Sequence, residues 1–325
     1  MSAYLYSIGA TAAIFTLLAL SLNIITGYAG QAMMGHAAFF GIGAYTAAIL
    51  TQTYHVNFFL ALLIAMLFTG ACGALLGLIS LRLQADFLAI TTIGINFVMV
   101  ALFNNMSITG GSLGLTILKP MLFGTKMGNR QFFWLTFVVI VVVCLLIIKM
   151  RRSWFGMALA SINNDSAAAR SFGIDVSRYQ ILTFIIGTAI AGLAGGIYAH
   201  RMGYICSSDF AFVISIQILS MVVIGGIGSI TGSIIGAFLV NCGQEWLRFF
   251  DTPLTIAGVQ IPLFRTGFRM VIFSILLMVV VLFYRKGIMG TSEFSWDGLG
   301  RLIRSIPGRF GKKQKVNAEE SGGDK

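Results

Sequence analysis

Residues 131–150 read QFFWLTFVVIVVVCLLIIKM, and two arginines follow at 151 and 152. The only charge in that run, Lys149, stands at its end. A stretch of about 20 apolar residues is what a helix needs to cross the hydrocarbon core of a bilayer. The run is therefore read as a membrane-spanning helix, with Lys149, Arg151 and Arg152 holding its end on the cytoplasmic side.

The rest of the chain has the same character. Of 325 residues, 57% are hydrophobic and 10% are charged, where a soluble domain carries about 25% charge. Asp86 alone among the 11 acidic residues precedes position 165, and the mean hydropathy is +0.89. A soluble enzyme is excluded because it would have too little polar surface, and a disordered chain because disorder requires low hydrophobicity. Further spans are expected at 4–26, 31–52, 57–81, 87–104, 179–200, 211–225, 227–248 and 268–284. The fold class is thus all-α, a polytopic transmembrane bundle of about nine spans, with eight and ten fitting nearly as well. Residues 31–52 read either as one crossing or as two half-helices. The organisation expected is a transmembrane domain over 1–290 and a basic, largely disordered cytoplasmic tail over 291–325. The N-terminal apolar stretch has no basic n-region or clear cleavage site and is expected to be a retained helix.

The net charge of +11 sits mainly in the loop 149–178 and in the tail after Phe283. Basic clusters beside apolar runs set topology more simply than they bind nucleic acid. Placing both clusters in the cytoplasm leaves four spans between them, an even number, so the two assignments agree. Arg82 then lies in a cytoplasmic turn and the N-terminus outside. Seven basic residues fall elsewhere: Lys119, Lys126, Arg130, Arg201, Arg248, Arg265 and Arg269. The four cysteines show no metal-ligand spacing and read as buried packing residues.

Glycine is the second signal, with 38 residues against four prolines. Gly70, Gly73 and Gly77 share a helix face, as do Gly192, Gly195 and Gly196, which suits close helix packing in membranes. Two denser clusters stand apart: Gly27, Gly30, Gly35, Gly41 and Gly43 in the first, Gly225, Gly226, Gly228, Gly232 and Gly236 in the second. They read either as tight turns between spans or as broken helices at a central site. The loop Thr109-Gly110-Gly111-Ser112-Leu113-Gly114-Leu115 is too glycine-rich to continue a helix.

Chemistry is sparse. Ion-coupled carriers place carboxylates or histidines within their spans. Here Asp86 beside Arg82 and Glu245 near Arg248 read as pairs at span edges. His36, His55 and His200 lack metal-ligand spacing, and His36 is read as a hydrogen-bonded helix contact. There is no phosphate-binding G-x-x-x-x-G-K-[ST] motif and no catalytic constellation, so an enzyme is not expected. Concentrating a solute a thousandfold costs about 4 kcal/mol, and that energy would have to come from another subunit.

The cytoplasmic segment Ser161–Gly173 reads as a short helix. Asn163, Asn164 or Asp165 caps it, the run Ala167-Ala168-Ala169 favours it, and Gly173 stops it. At this point the chain resembles LivM-type permease subunits of the branched-chain amino acid ABC transporter family. The resemblance is carried by Gly27-Tyr28-Ala29-Gly30-Gln31, by Gly35-His36-Ala37-Ala38-Phe39-Phe40-Gly41, and by Leu81-Arg82-Leu83 with Asp86. It continues through Thr109–Leu115, Ala167–Gly173, Val222–Ser229 and Phe283–Gly290. It implies an importer subunit in a bacterial inner membrane, forming half of a translocation pathway for branched-chain or similar apolar amino acids. The implied partners are a homologous second permease, two cytoplasmic ATPases that bind ATP and Mg, and an extracytoplasmic solute-binding protein. No cofactor is expected in this chain. Ala167–Gly173 is similar to the family's coupling loop, with Ala167 where glutamate is usual. Asn164, Asp165, Ala168, Ala169, Arg170 and Gly173 are the expected ATPase-coupling residues. Gln31, His36, Phe39, Phe40 and Asn96 are the expected pathway residues, with Thr91 and Thr92 beside Asn96. The alternatives are a permease for urea, short amides or aromatic compounds, and a stand-alone facilitator or channel.

Overall fold

A computed structural model describes residues 2–80, 83, 85–122 and 125–246, together with 255–256, 259–260 and 287. Among these, α1 spans Ser2–Asn23 and runs into a π-helical turn, Ile24–Tyr28. Then come α2 His36–Gln52, α3 Phe58–Ser80, α4 Ala85–Asn105, α5 Asn129–Arg151, α6 Trp154–Asn164, α7 Ser166–Ser171, α8 Val176–Met202, α9 Phe212–Gly225 and α10 Ile230–Trp246. The expected span 268–284 and the expected tail 291–325 lie outside the described residues.

Six segments among the described residues are long and apolar enough to cross a membrane: Tyr4–Tyr28, Phe58–Ile79, Phe87–Asn105, Asn129–Arg151, Val176–Met202 and Ser207–Gly225. Helix α2 has 17 residues, about 26 Å at 1.5 Å per residue, short of the roughly 30 Å hydrocarbon core. Helices α2 and α10 each begin within one of the two dense glycine clusters. Residues 31–52 are therefore not two half-helices: the chain stays irregular through Gly35, and one helix starts at His36.

Helix α1 is central, 83% buried, whereas α5 is 22% buried and turns most of its surface outward. Along α5 and α4 the outward residues are Phe97, Val98, Val138, Val142, Leu145 and Leu146, apolar side chains suited to hydrocarbon. Helix α8 is the hub, packing against α3, α2 and α1. Gly70, Gly73 and Gly77 of α3 face Ile181, Phe184, Ile185, Thr188 and Ala189 of α8, as their spacing predicts. Gly192 and Gly195 do the same job on the other side, where a Cβ at Gly43 of α2 would fall on the Gly192 backbone and one at Gly195 on the Phe40 carbonyl. Several threonines inside the spans are satisfied within their own helices. Thr16, Thr69, Thr136 and Thr188 each donate to the carbonyl four residues earlier, at 2.7–2.8 Å.

At the end of the bundle away from α6 and α7, the connection between α4 and α5 is irregular, as its glycines require. Gly110, Gly111 and Gly114 all have positive φ. Leu115–Thr116 pairs antiparallel with Tyr204–Ile205, Tyr204 Oη donates to the Leu113 carbonyl at 2.9 Å, and Ser207 Oγ donates to Asn104 Oδ1 at 2.6 Å. This short pairing departs from a purely helical chain and ties the α4–α5 connection to the α8–α9 connection.

Replacing Gly43 by valine should destabilise the protein by about 1–3 kcal/mol or more, because overpacking here meets backbone rather than a side chain that can turn away. Gly94→Ala, at a helical site with nothing within 4 Å, should be neutral or stabilising by up to about 1 kcal/mol. Thermal unfolding in detergent, run on both variants, checks the ordering.

Candidate functional site

The end of α1 gives up regular geometry over a few residues. The π turn Ile24–Tyr28 leads into Gly30, whose φ is +66°. The Gln31 amide then folds back onto the Ile25 carbonyl at 3.2 Å. Met34 N–H donates to Thr92 Oγ1 at 3.1 Å, and Gly35 packs on the Thr92 carbonyl with no room for a Cβ. Thr92 lies about 10 Å along α4 from its start at 1.5 Å per residue, so the irregular segment reaches inward from the helix ends. Irregular backbone at such depth is tolerated only under cover of protein or water. Here α4 and α9 supply cover. The first turn of α2 leaves its N–H groups without helical partners, and Ser215 Oγ of α9 accepts from Ala37 N–H at 2.8 Å.

Three expected pathway residues meet this break or its neighbours. His36 is fully buried, its Nε2 2.7 Å from Ser21 Oγ. Asn96 is fully buried and donates to the Phe210 carbonyl at 3.3 Å. Gln31 is 4% exposed. Each keeps a buried polar atom without a hydrogen-bond partner: His36 Nδ1, Asn96 Oδ1 and Gln31 Oε1. An unsatisfied buried polar atom costs about 1–3 kcal/mol, and such atoms call for an explanation beyond packing. Thr92 joins this group through Met34, whereas Thr91 bonds to the Phe87 carbonyl of its own helix at 2.8 Å.

Phe39 and Phe40 part company. Phe39 lines a cleft of about 660 Å³ among α2, α3 and α4, with Tyr45, Phe68, Met99 and Phe103. Phe40 instead packs into an aromatic group, its ring centroid 5.0 Å from Tyr198 and 5.1 Å from Phe210. Of the five expected pathway residues, only Phe39 lines the cleft. Gln31, His36, Phe40 and Asn96 do not.

The two glycine clusters, about 200 residues apart in sequence, touch. Asn23 Nδ2 donates to the Ser229 carbonyl at 3.0 Å, and Asn23 Oδ1 accepts from Gly228 N–H at 2.8 Å. The second cluster is a tight turn between α9 and α10, with Gly226 and Gly228 at positive φ. Asn23 stands in the run Ser21-Leu22-Asn23 that opens the first family-like block, but the sequence alone assigned it no role. His200 is held by Thr51 at 3.0 Å and by the Gly196 carbonyl at 2.8 Å. Tyr4 Oη donates to Glu245 Oε1 at 2.6 Å. Arg82 and Arg248, expected to pair with Asp86 and Glu245, lie outside the described residues. The four cysteines are free, and no group able to hold a metal ion occurs among the described residues.

The basic segment after α5 folds as two helices where one was expected. Asn164 belongs to the end of α6. Asp165 caps α7, its Oδ1 accepting from Ala167 N–H at 2.8 Å and Ala168 N–H at 3.0 Å. Gly173 follows at φ +80°, the left-handed stop its position predicts. Ala169 is buried against Ile162 and Val176, while Asn164, Ala168, Arg170 and Gly173 are exposed. The break is needed because Asp165 takes an extended conformation, φ −155° and ψ 107°. Two exposed aromatic side chains that are not among the expected coupling residues flank this knob, Trp154 at 84% exposed and Phe172 at 86%.

An apolar helical bundle with a buried, glycine-broken polar seam and an exposed helical knob defines a multi-pass membrane protein of the transport type. The chain belongs to the family described as the permease component of the branched-chain amino acid transport system, which it matches over residues 4–282. It is 35% identical over 276 residues to the high-affinity branched-chain amino acid transport system permease protein LivM of Escherichia coli, covering 76% of this chain and 65% of that protein. It thus spans about two thirds of that relative's length. To the probable branched-chain amino acid transport permease protein LivH of Methanocaldococcus jannaschii it is 25% identical over 299 residues, covering 88% of this chain and 90% of that protein. Over 133 residues, 39% of this chain and 37% of the relative, it is 31% identical to the fructose import permease protein FrcC of Rhizobium meliloti. No solved structure matches. The family is one of transport-system components.

Two substitutions test the local geometry. Ser21→Ala removes the partner of His36 Nε2 and should cost about 1–3 kcal/mol in unfolding free energy, measured by denaturation in detergent. Asp165→Ala removes the cap of α7 and should cost about 1 kcal/mol locally. Hydrogen exchange of the segment 166–172 should then speed up by about fivefold, since 1.4 kcal/mol is a factor of ten.

Proposed function

We propose that this chain is a membrane-spanning permease subunit of an ABC importer and forms half of a translocation pathway for branched-chain or similar apolar amino acids. In this reading it works in a bacterial inner membrane with about nine spans, residues 268–284 supplying the last and the N-terminus lying outside. Its partners are a homologous second permease, an extracytoplasmic solute-binding protein and two cytoplasmic ATPases, which hold the ATP and Mg that power transport. The chain itself carries no cofactor.

The observation that carries this reading is one of continuity. An exposed, capped knob, with Asn164, Asp165, Ala168, Ala169, Arg170 and Gly173, lies at the same end of the bundle as the glycine-broken segment. That segment leads inward to Gln31, His36 and, beside them, Asn96. A partner can push on the knob, and the break is where the backbone has freedom to respond. The unpaired polar atoms on Gln31, His36 and Asn96 are buried in this structure and become available to a solute when the break opens. Phe39 gives the wall of the neighbouring cleft an apolar character, and Phe40 backs it from the aromatic group with Tyr198 and Phe210. Exposed Phe172 suits an apolar pocket on the ATPase, and Arg170 supplies a polar contact where Ala167 cannot.

With a Gly-Ser linker in place of residues 164–173, energy-dependent amino acid uptake by cells should be lost while the protein still reaches the membrane. Retained uptake would sink the coupling role. The purified chain alone in vesicles should transport nothing, and flux from it would favour a facilitator instead. Co-purified subunits, and the solute held by the binding protein among them, check the partners and the substrate class.

A further inference from the structure

Two sets of contacts tie the knob to the bundle, and they differ in kind. Apolar packing of Ile162, Ala169 and Val176, with Ile174 and Tyr179 alongside and Phe155 5.3 Å from Tyr179, seats α6 and α7 on the start of α8. Helix α8 is regular from Val176 to Met202 and is locked to α2 and α3 through glycine contacts, so a push on this seat moves it as a body. The second set is made by one side chain. Asn163, in the last turn of α6, donates from Nδ2 to the Gly27 carbonyl at 3.2 Å. Its Oδ1 lies so close to Gly30 that a Cβ there would fall on it. Both glycines belong to the irregular segment, one in the π turn and one at φ +66°, and Gln31 follows directly. Two residues beyond Asn163, Asp165 caps α7.

We infer that Asn163 is the positioning residue that passes displacement of the knob to the segment 27–31, and through it to Gln31 and His36. Regular helices transmit a push but do not change shape. A segment with a π turn and a left-handed glycine has alternative backbone states within reach, and π turns recur at functional sites. Energetic coupling between sites runs through contiguous contacts that have two arrangements. Asn163 grips this segment from two sides: its amide donor holds the Gly27 carbonyl and its oxygen fills the space that Gly30 leaves open. The adjacent seam adds a second anchor, because Asn23 holds Gly228 and Ser229 on the far side of Gly27. Movement of Asn163 against fixed Asn23 therefore shears the turn between them.

This inference rests on the coupling role proposed above. Its test uses the assembled transporter in proteoliposomes, with ATP hydrolysis and amino acid uptake measured on the same vesicles and normalised to assembled complex. Asn163→Ala should lower uptake per ATP hydrolysed by about fivefold or more, the lower end of typical coupling effects, with ATPase co-purification unchanged. Asn163→Asp keeps the volume but sets an oxygen against the Gly27 carbonyl, and should uncouple to the same degree. Gly30→Ala should do likewise. An unchanged uptake-to-hydrolysis ratio in Asn163→Ala and Asn163→Asp overturns the inference. So does a joint fall of hydrolysis and uptake with loss of bound ATPase, which makes Asn163 a docking or folding residue. The Gly-Ser linker variant separates the two levels: if it retains uptake, the coupling role itself fails; if it loses uptake while the Asn163 variants keep their ratio, only the relay fails.

Discussion

The bundle depends on how closely α8 approaches α2 and α3. Lipid tails are as apolar as leucine, so helices in a membrane gain little from hiding apolar surface against one another. What holds them is contact at short range, and contact at short range needs residues that keep the backbones from being pushed apart. Gly43 and Gly192 meet backbone to backbone, Gly195 lies on the Phe40 carbonyl, and Gly73 receives the Thr188 side chain. These contacts pin α8 between its neighbours. Both ends of α8 then become reference points: its start seats the knob, and its end sets the strand pairing between Tyr204–Ile205 and Leu115–Thr116.

The same physics explains why the irregular segment is tolerated. A backbone N–H or carbonyl without a partner is expensive in hydrocarbon, and several of the departures from helix are met by a side chain from elsewhere. Thr92 receives Met34, Ser215 receives Ala37, and Asn23 serves both Gly228 and Ser229. All are small polar residues in apolar runs. Tyr45 and Arg201 also hold buried polar atoms without partners, but those on Gln31, His36 and Asn96 lie in or next to this irregular segment.

Much of this was legible in the residues. Long apolar runs translate directly into spans, because length and hydropathy are local properties. The spacing of Gly70, Gly73 and Gly77 gave a packing face, and α8 is what covers it. Asp165 before an alanine run and Gly173 after it gave a cap and a stop. The division of the knob into α6 and α7 was harder to see, since Asn163, Asn164 and Asp165 are all good caps and only the fold selects one. The cleft was harder still. Phe39 and Phe40 are adjacent and chemically identical, yet one lines the cleft and the other packs against Tyr198 and Phe210, about 100° apart around the same helix.

By itself, then, the sequence determined that this protein is a multi-pass membrane protein, where most of the described helices lie, where glycine interrupts them and which end carries the basic knob. These follow from charge, hydropathy and backbone freedom over a few residues. Only the tertiary structure decided that the two glycine clusters meet, that Asn23 and Asn163 grip the break from either side, and which polar atoms stay without partners. Contacts between residues some 140–200 positions apart depend on how whole helices stack, and no local pattern of side chains encodes that.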